Sequence, residues 1–188
     1  SAAAAVARLM AQPVLPAMLE FIDRRSIALL RRNGSEVPEA GAMLLIEADG
    51  SHEALPDLLA ALAAAAEGEG LLDLDVATDG IARDRLWAAR RALSPALRSI
   101  APGKINEDVV VPVSRIPELV AGVEALADAF ALVIVCFGHA GNGNLHVNIL
   151  DAGSAEPALK DLVLTAAIEL GGTISAEHGI GIAKAAWL

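Results

Sequence analysis

Residues 131–150 contain two apolar stretches around a glycine-rich turn: ALVIVCFG (131–138), then AGNGN, then LHVNIL (145–150). The pattern predicts a β-hairpin, and a hairpin commits its part of the sheet to antiparallel pairing. It also sets a histidine on each arm, because His139 ends the first strand and His146 lies near the start of the second, with six residues between them. Such a hairpin is expected to bring the two imidazoles face to face across the turn. The strand period of two puts Asn148 on the same side as His146 and turns Val147 and Ile149 into the core.

The remaining chain alternates helix-like and strand-like segments. Residues 14–32 carry Leu15, Met18, Leu19, Ile22, Ile27, Leu29 and Leu30 at roughly helical spacing and stop at Asn33-Gly34, which predicts a helix. Residues 42–49 read as a buried strand and 52–67 as a helix with Leu55, Leu58, Leu59 and Leu62 inward. Residues 71–77 (LLDLDVA) alternate like a half-buried strand, so that 42–77 reads as a β-α-β unit. A helix over 79–99, a strand at 107–111 and a helix over 115–128 with Ser114 as N-cap follow. After the hairpin come a helix over 156–170, a Gly171-Gly172 break, and a loop leading into the start of a helix.

Gly138, Gly141 and Gly143 have the spacing G-x-x-G-x-G between two strands, the wrong order and place for a dinucleotide fingerprint. The expectation is therefore an α+β domain of sheet and helix layers. At 188 residues one domain is expected, and 55% hydrophobic against 20% charged residues makes it globular. Aromatics are only 3% and tyrosine is absent, so Leu, Val, Ile and Ala must build the core. A formal net charge of −10 argues against nucleic acid or an anionic membrane surface as the main partner. The single cysteine, Cys136, sits in an apolar strand; it reads as a small buried hydrophobe, and the lack of any disulfide framework fits a cytoplasmic protein. No apolar run approaches the ~20 residues of a membrane span. The alanine-rich start, Ser1 to Ala5, reads in part as an expression remnant.

Of the four histidines, His139, His146 and His178 lie in two glycine-rich segments, GHAGNGNLHVN and SAEHGIG, while His52 reads as structural or surface. Two imidazoles across a hairpin suit one divalent metal, and Glu177, beside His178, is the carboxylate that could complete the site. The alternatives are turn histidines satisfied locally and an acidic helix cap. Between Trp87 and Lys104 lie Arg90, Arg91, Ser94, Arg98 and Lys104. On a helix Arg90 and Ser94 share a face, and guanidinium offers a bidentate fork to a carboxylate. A solvated basic face is the alternative.

These segments resemble the C-terminal domain of the FAD-linked oxidases, the group of D-lactate dehydrogenase, the flavin subunit of glycolate oxidase and D-2-hydroxyglutarate dehydrogenase. The likeness is carried by LWAARRALSPAL, GKINEDVVVPVSRIPELV, GHAGNGNLHVNIL and GGTISAEHGIGIAK, in that order. The resemblance implies a mainly antiparallel sheet covered by helices, a ferredoxin-like cap over a flavin held by a separate N-terminal domain of the vanillyl-alcohol-oxidase type. It implies a divalent metal, zinc first and manganese or iron as alternatives, on His139, His146 and Glu177. Substrate-binding roles fall on Arg90, Ser94, Lys104 and Asn148, and His178 becomes the general base for a small 2-hydroxy-acid anion. FAD would be the oxidant. For a second substrate carboxylate, Arg91, Arg98 and Lys184 are candidates. The implied setting is a cytoplasmic enzyme, open to peripheral membrane association, to an electron-acceptor protein and to a homodimer.

Two departures stand out. Asn142 replaces the aspartate common in relatives, which is expected to alter metal affinity or the geometry around the ligands. The chain also reads as a truncated domain, 1–188, without the flavin domain and unable to oxidise alone. Competing readings are a metal-dependent hydrolase with a two-His, one-Glu site, and a non-catalytic cap whose histidines brace the hairpin.

Overall fold

The protein is described here by a computed structural model covering residues 1–187. Its elements run α1 (Ala2–Ala11), β1 (Met18–Asp23), α2 (Arg24–Arg32), β2 (Ala42–Glu47), α3 (Leu55–Ala66), α4 (Gly80–Ile100), β3 (Ile105–Val110), α5 (Ile116–Ala129), β4 (Ile134–His139), β5 (Asn144–Ile149) and α6 (Glu156–Glu169). The five strands form one sheet in the order β2-β1-β4-β5-β3, antiparallel at every pairing. The expected α+β architecture with an antiparallel sheet is what the chain adopts.

Both sheet faces are covered. One packs Leu19, Phe21, Val109, Ile134, Cys136, Leu145, Val147 and Ile149 under side chains of α1, α3, α5 and α6. The other sets Ile22, Leu45, Val135 and Phe137 against Ile27 and Leu30 of α2 and Leu93 and Leu97 of α4. Each fully buried Leu, Ile or Phe contributes about 1.5–3 kcal/mol, so the aliphatic core compensates for scarce aromatics. Cys136 is buried within it, and burial pushes its thiol well above the ordinary range, as suits an inert side chain.

The hairpin forms as predicted, closed by a short 3-10 turn at Ala140–Asn142 and by Gly143 at φ +82°. A Cβ on Gly143 would lie 2.0 Å from the Val111 carbonyl oxygen, so that close approach requires glycine.

Four expectations fail. Residues 14–32 are not one helix: MLEFID is strand β1, and α2 begins only at Arg24. Five of those six strand residues are buried, Glu20 and Ile22 on one face and Leu19 and Phe21 on the other, so no alternation marked it. Residues 71–77 are irregular and exposed, so the β-α-β unit loses its third element and β2 remains an edge strand. Asp73 there binds the Leu74 N–H at 2.9 Å, a local bond that competes with a ladder. Ser114 lies in a 3-10 turn (Val113–Arg115), and α5 starts after Arg115 with no side-chain cap. The alanine-rich start belongs to the fold: α1 buries Val6 and Leu9, and Arg8 donates to the terminal carbonyls of α3 at Ala65, Ala66 and Glu67. The helix start expected at the end runs into Leu188, outside the described residues; before it lies a 3-10 turn at Ala185–Trp187. Among the described residues no helix is long and apolar enough to cross a membrane.

Asp23 fixes the boundary between β1 and α2. One of its oxygens accepts the Ser26 N–H at 2.7 Å as an N-cap, and the other accepts the Cys136 N–H of β4 at 2.9 Å. Burial pushes its carboxyl up from the ordinary 3.8 to about 6, against those hydrogen bonds and the Arg25 charge. The folded value exceeds the unfolded one, so this contribution to stability is fully present below about pH 4 and is lost as pH rises through about 6, a change of about 3 kcal/mol. Urea denaturation across that window should show the wild type losing stability relative to Asp23→Asn; parallel curves would contradict the burial argument.

Candidate functional site

The strand register gathers the polar side chains. Across β1 and β4, Glu20 is opposite His139; across β3 and β5, Asp108 is opposite His146 and Asn106 is opposite Asn148. These residues extend the sheet face that carries Ile22, Val135 and Phe137, so an apolar half under α2 and α4 adjoins a polar half.

His139 and His146 do meet, with ring centroids 6.0 Å apart, but edge-on at 76° rather than face to face. The register explains this: His146 is opposite Phe137, so the two histidines are diagonal neighbours. Burial holds His146 below the ordinary imidazole value against the raising pull of Asp108, which favours the neutral, ligating form.

The second glycine-rich segment reaches the hairpin by way of β3. Val110 and Thr173 exchange backbone hydrogen bonds at 3.0 and 2.8 Å, and a Cβ on Gly172 would stand 2.0 Å from the Val110 oxygen. Beyond that bridge, Asp108 Oδ2 accepts the backbone N–H groups of Ala176, Glu177 and His178 at 3.0, 2.7 and 3.0 Å. Burial pushes the Asp108 carboxyl upward, but these three donors outweigh it and hold the carboxyl below its ordinary value. The result sets Glu177 Oε1 3.3 Å from His139 Nε2 and stacks the His178 ring on His146 at 5.3 Å and 17°.

Donor atoms of His139, His146 and Glu177 lie within 4.8 Å of one another, as do those of Asp108, His146 and His178. The first set is a two-nitrogen, one-oxygen group of the type that holds zinc, manganese or iron. The donor chemistry of that first set fits a divalent metal. Beside it two buried polar atoms without a hydrogen-bond partner among the described residues, His146 Nδ1 and Asp108 Oδ1, face each other at 3.7 Å.

Arg90 of α4 arrives beside this group. Its guanidinium lies 4.9 Å from the Phe137 ring centre, and its Nε donates to Glu20, whose other oxygen contacts His139 Nδ1. Lys104 Nζ donates to Asn148 Oδ1 at 2.5 Å; burial, then the Arg98 charge, lowers its ammonium pKa. Ser94 is exposed on α4, one turn from Arg90, and joins none of these hydrogen bonds. Arg91 is turned away to Asp84 at 3.5 Å. Lys184 is not free for a second substrate carboxylate, because it is buried with Nζ 3.0 Å from Glu107. Asn142 takes a turn role, its Oδ1 accepting the Asn144 N–H at 3.2 Å. A cleft of about 300 Å³ opens beside His139, walled by Met10, Met18, Leu19 and Asn142 among others.

Sequence reasoning missed Glu20 and Asp108. The one signal was the presence of acidic residues inside the two strands MLEFID and INEDVV, two in each.

The antiparallel sheet thus carries, on one face, three imidazoles and a carboxylate near one another with cations from α4 and the start of β3. The whole chain, residues 1–188, matches the family model described as FAD linked oxidases, C-terminal domain, and the chain belongs to that family. It is 34% identical over 197 residues to the glycolate oxidase subunit GlcD of Bacillus subtilis, covering 100% of this chain and 42% of that protein. It is 32% identical to a D-lactate dehydrogenase of Anaerostipes hadrus, over 92% of this chain and 40% of that one. A D-2-hydroxyglutarate dehydrogenase of Xanthomonas citri is 37% identical over 114 residues, 55% of this chain and 24% of that protein. The chain thus spans about two fifths of the length of the curated relatives it matches most fully.

Proposed function

We propose that this chain is the substrate- and metal-binding domain, residues 1–188, of an FAD-dependent dehydrogenase that oxidises a D-2-hydroxy acid to the 2-oxo acid. The observation that carries it is the meeting of His139, His146, Glu177 and His178 on the sheet face that Arg90 and Asn148, with Lys104, also occupy. The relatives are named for glycolate, D-lactate and D-2-hydroxyglutarate, all small 2-hydroxy acids, and a flavin-binding domain would occupy part of their additional length.

His139, His146 and Glu177 would hold the divalent metal, zinc first and manganese or iron as alternatives. When bound, it supplies Lewis acidity toward the substrate 2-hydroxyl. The flavin, held by the neighbouring domain, supplies the two-electron oxidant. Arg90 has its Nε engaged by Glu20, which leaves its terminal nitrogens to fork onto the substrate carboxylate. Lys104 and Asn148 add a cation and an amide on the sheet side, and Ser94 adds a hydroxyl one turn along α4. His178 takes the hydroxyl proton, its ring held parallel to His146.

The test uses the full-length protein with D-lactate, glycolate and D-2-hydroxyglutarate and an artificial electron acceptor. Flavin reduction by at least one is expected, and reduction by none sinks the proposal. In the same protein, metal content should fall from about one ion per chain to near zero in His139→Ala, His146→Ala and Glu177→Ala. Unchanged content in all three would leave the histidines only bracing the hairpin.

A further inference from the structure

We propose that Glu20 and Asp108 are a matched pair of positioning carboxylates, each holding one of the two histidines as an Nε2 ligand and tying it to one part of the substrate site. This rests on His139, His146 and Glu177 being the ligand set.

The two strands that flank the hairpin each present a carboxylate directly opposite a histidine: Glu20 opposite His139 and Asp108 opposite His146. Both carboxylates are fully buried. Each faces the same ring atom. His139 Nδ1 contacts Glu20 Oε1, and His146 Nδ1 points to Asp108 Oδ1 at 3.7 Å. In the second pair both atoms are buried without another partner among the described residues, and a small side-chain rotation would bring them within hydrogen-bond distance. An ionised carboxylate only accepts, so the nitrogen that faces it carries the proton. The lone pair is then on Nε2, the atom through which His139 already faces Glu177.

The second oxygen of each carboxylate is committed elsewhere. Glu20 Oε2 accepts from Arg90 Nε, so the His139 arm and the substrate-carboxylate fork share one anchor. Asp108 Oδ2 accepts the three N–H groups of residues 176–178, so the His146 arm is tied to the segment bearing Glu177 and His178. With one oxygen saturated and the other facing Nδ1, Asp108 is placed to orient His146 rather than to join it as a ligand.

Isosteric amides test this in the full-length protein. In Asp108→Asn the amide oxygen stays with the three backbone donors, and in Glu20→Gln it stays with Arg90; the NH2 then faces Nδ1. The proton must move to Nε2, the ligating atom. Nitrogen-15 spectra of histidine-labelled, metal-free protein should show His146 changing from Nδ1–H to Nε2–H in Asp108→Asn, and His139 doing so in Glu20→Gln. Zinc affinity, from competition with a chelator, should weaken about 10–100-fold in each variant. If circular dichroism finds one variant unfolded, the other decides the question through its own histidine. Unchanged tautomers with zinc affinity within about twofold of wild type overturn the proposal. If His146→Ala loses zinc while the amide variants keep it, the ligand set stands and only the positioning role fails. If His146→Ala also keeps zinc, both are overturned.

Discussion

Under the proposed dehydrogenase reading, replacing His178 by alanine in the full-length protein is expected to lower kcat for the 2-hydroxy acid that reduces the flavin by about 10²–10⁴-fold, the usual cost of losing a positioned general base. The backbone of residue 178 stays in place, because its N–H is held by Asp108 independently of the side chain. What disappears is the ring stacked on His146, and with it the proposed proton acceptor. Arg90, Lys104 and Asn148 are untouched, so KM should change little. Metal content should also persist, because Glu177 keeps its own N–H anchor on Asp108. A kcat within about threefold of wild type would remove His178 from the proton-transfer role.

The second large effect is on stability. Lys184 is buried with its ammonium 3.0 Å from Glu107, an ion pair whose angle falls short of a hydrogen bond, and it donates to the Ile174 carbonyl. In Lys184→Met the Glu107 carboxylate is left buried and uncompensated, at a cost of about 3–5 kcal/mol. Adding Glu107→Leu should recover much of that loss, since an apolar pair of similar volume is often neutral. Urea denaturation of the single and double variants measures both. An unchanged midpoint in the single variant would mean that the carboxylate finds solvent or another donor.

These two residues show what was legible in the chain. The glycine-rich segments announced His139, His146, Glu177 and His178, because tight turns and clustered imidazoles leave a local signature. Arg90 and Lys104 stand out as part of a basic cluster and Asn148 by the strand period, family likeness supplies their roles, and Arg90 and Asn148 lie on the same sheet face. Lys184 reads as a candidate for a second substrate carboxylate because nothing in its surroundings in sequence reveals that Glu107, 77 positions earlier, pairs with it. Glu20 was hidden differently: a strand buried on both faces has no period, and its apolar residues merged with those of α2 into a false helix. At 71–77 the opposite error occurred, since alternation describes a residue pattern and not the presence of a neighbouring strand. Asp108 follows another acid in INEDVV, and local sequence could not say that each turns to a different side of the sheet.

The dipeptide Val110–Val111 has a wider consequence. Gly143 packs its backbone on Val111, and Gly172 and Thr173 pack theirs on Val110, so both histidine-bearing segments are gauged from the same two peptide units. Neither segment can gain or lose a residue without moving its imidazoles relative to the other. Length variation among descendants of this sequence should therefore collect at 33–41 and 67–79, where the backbone is open to solvent, and be purged from 139–143 and 172–178. Spliced insertions of one glycine at each place, scored for growth or folding, would trace that map directly.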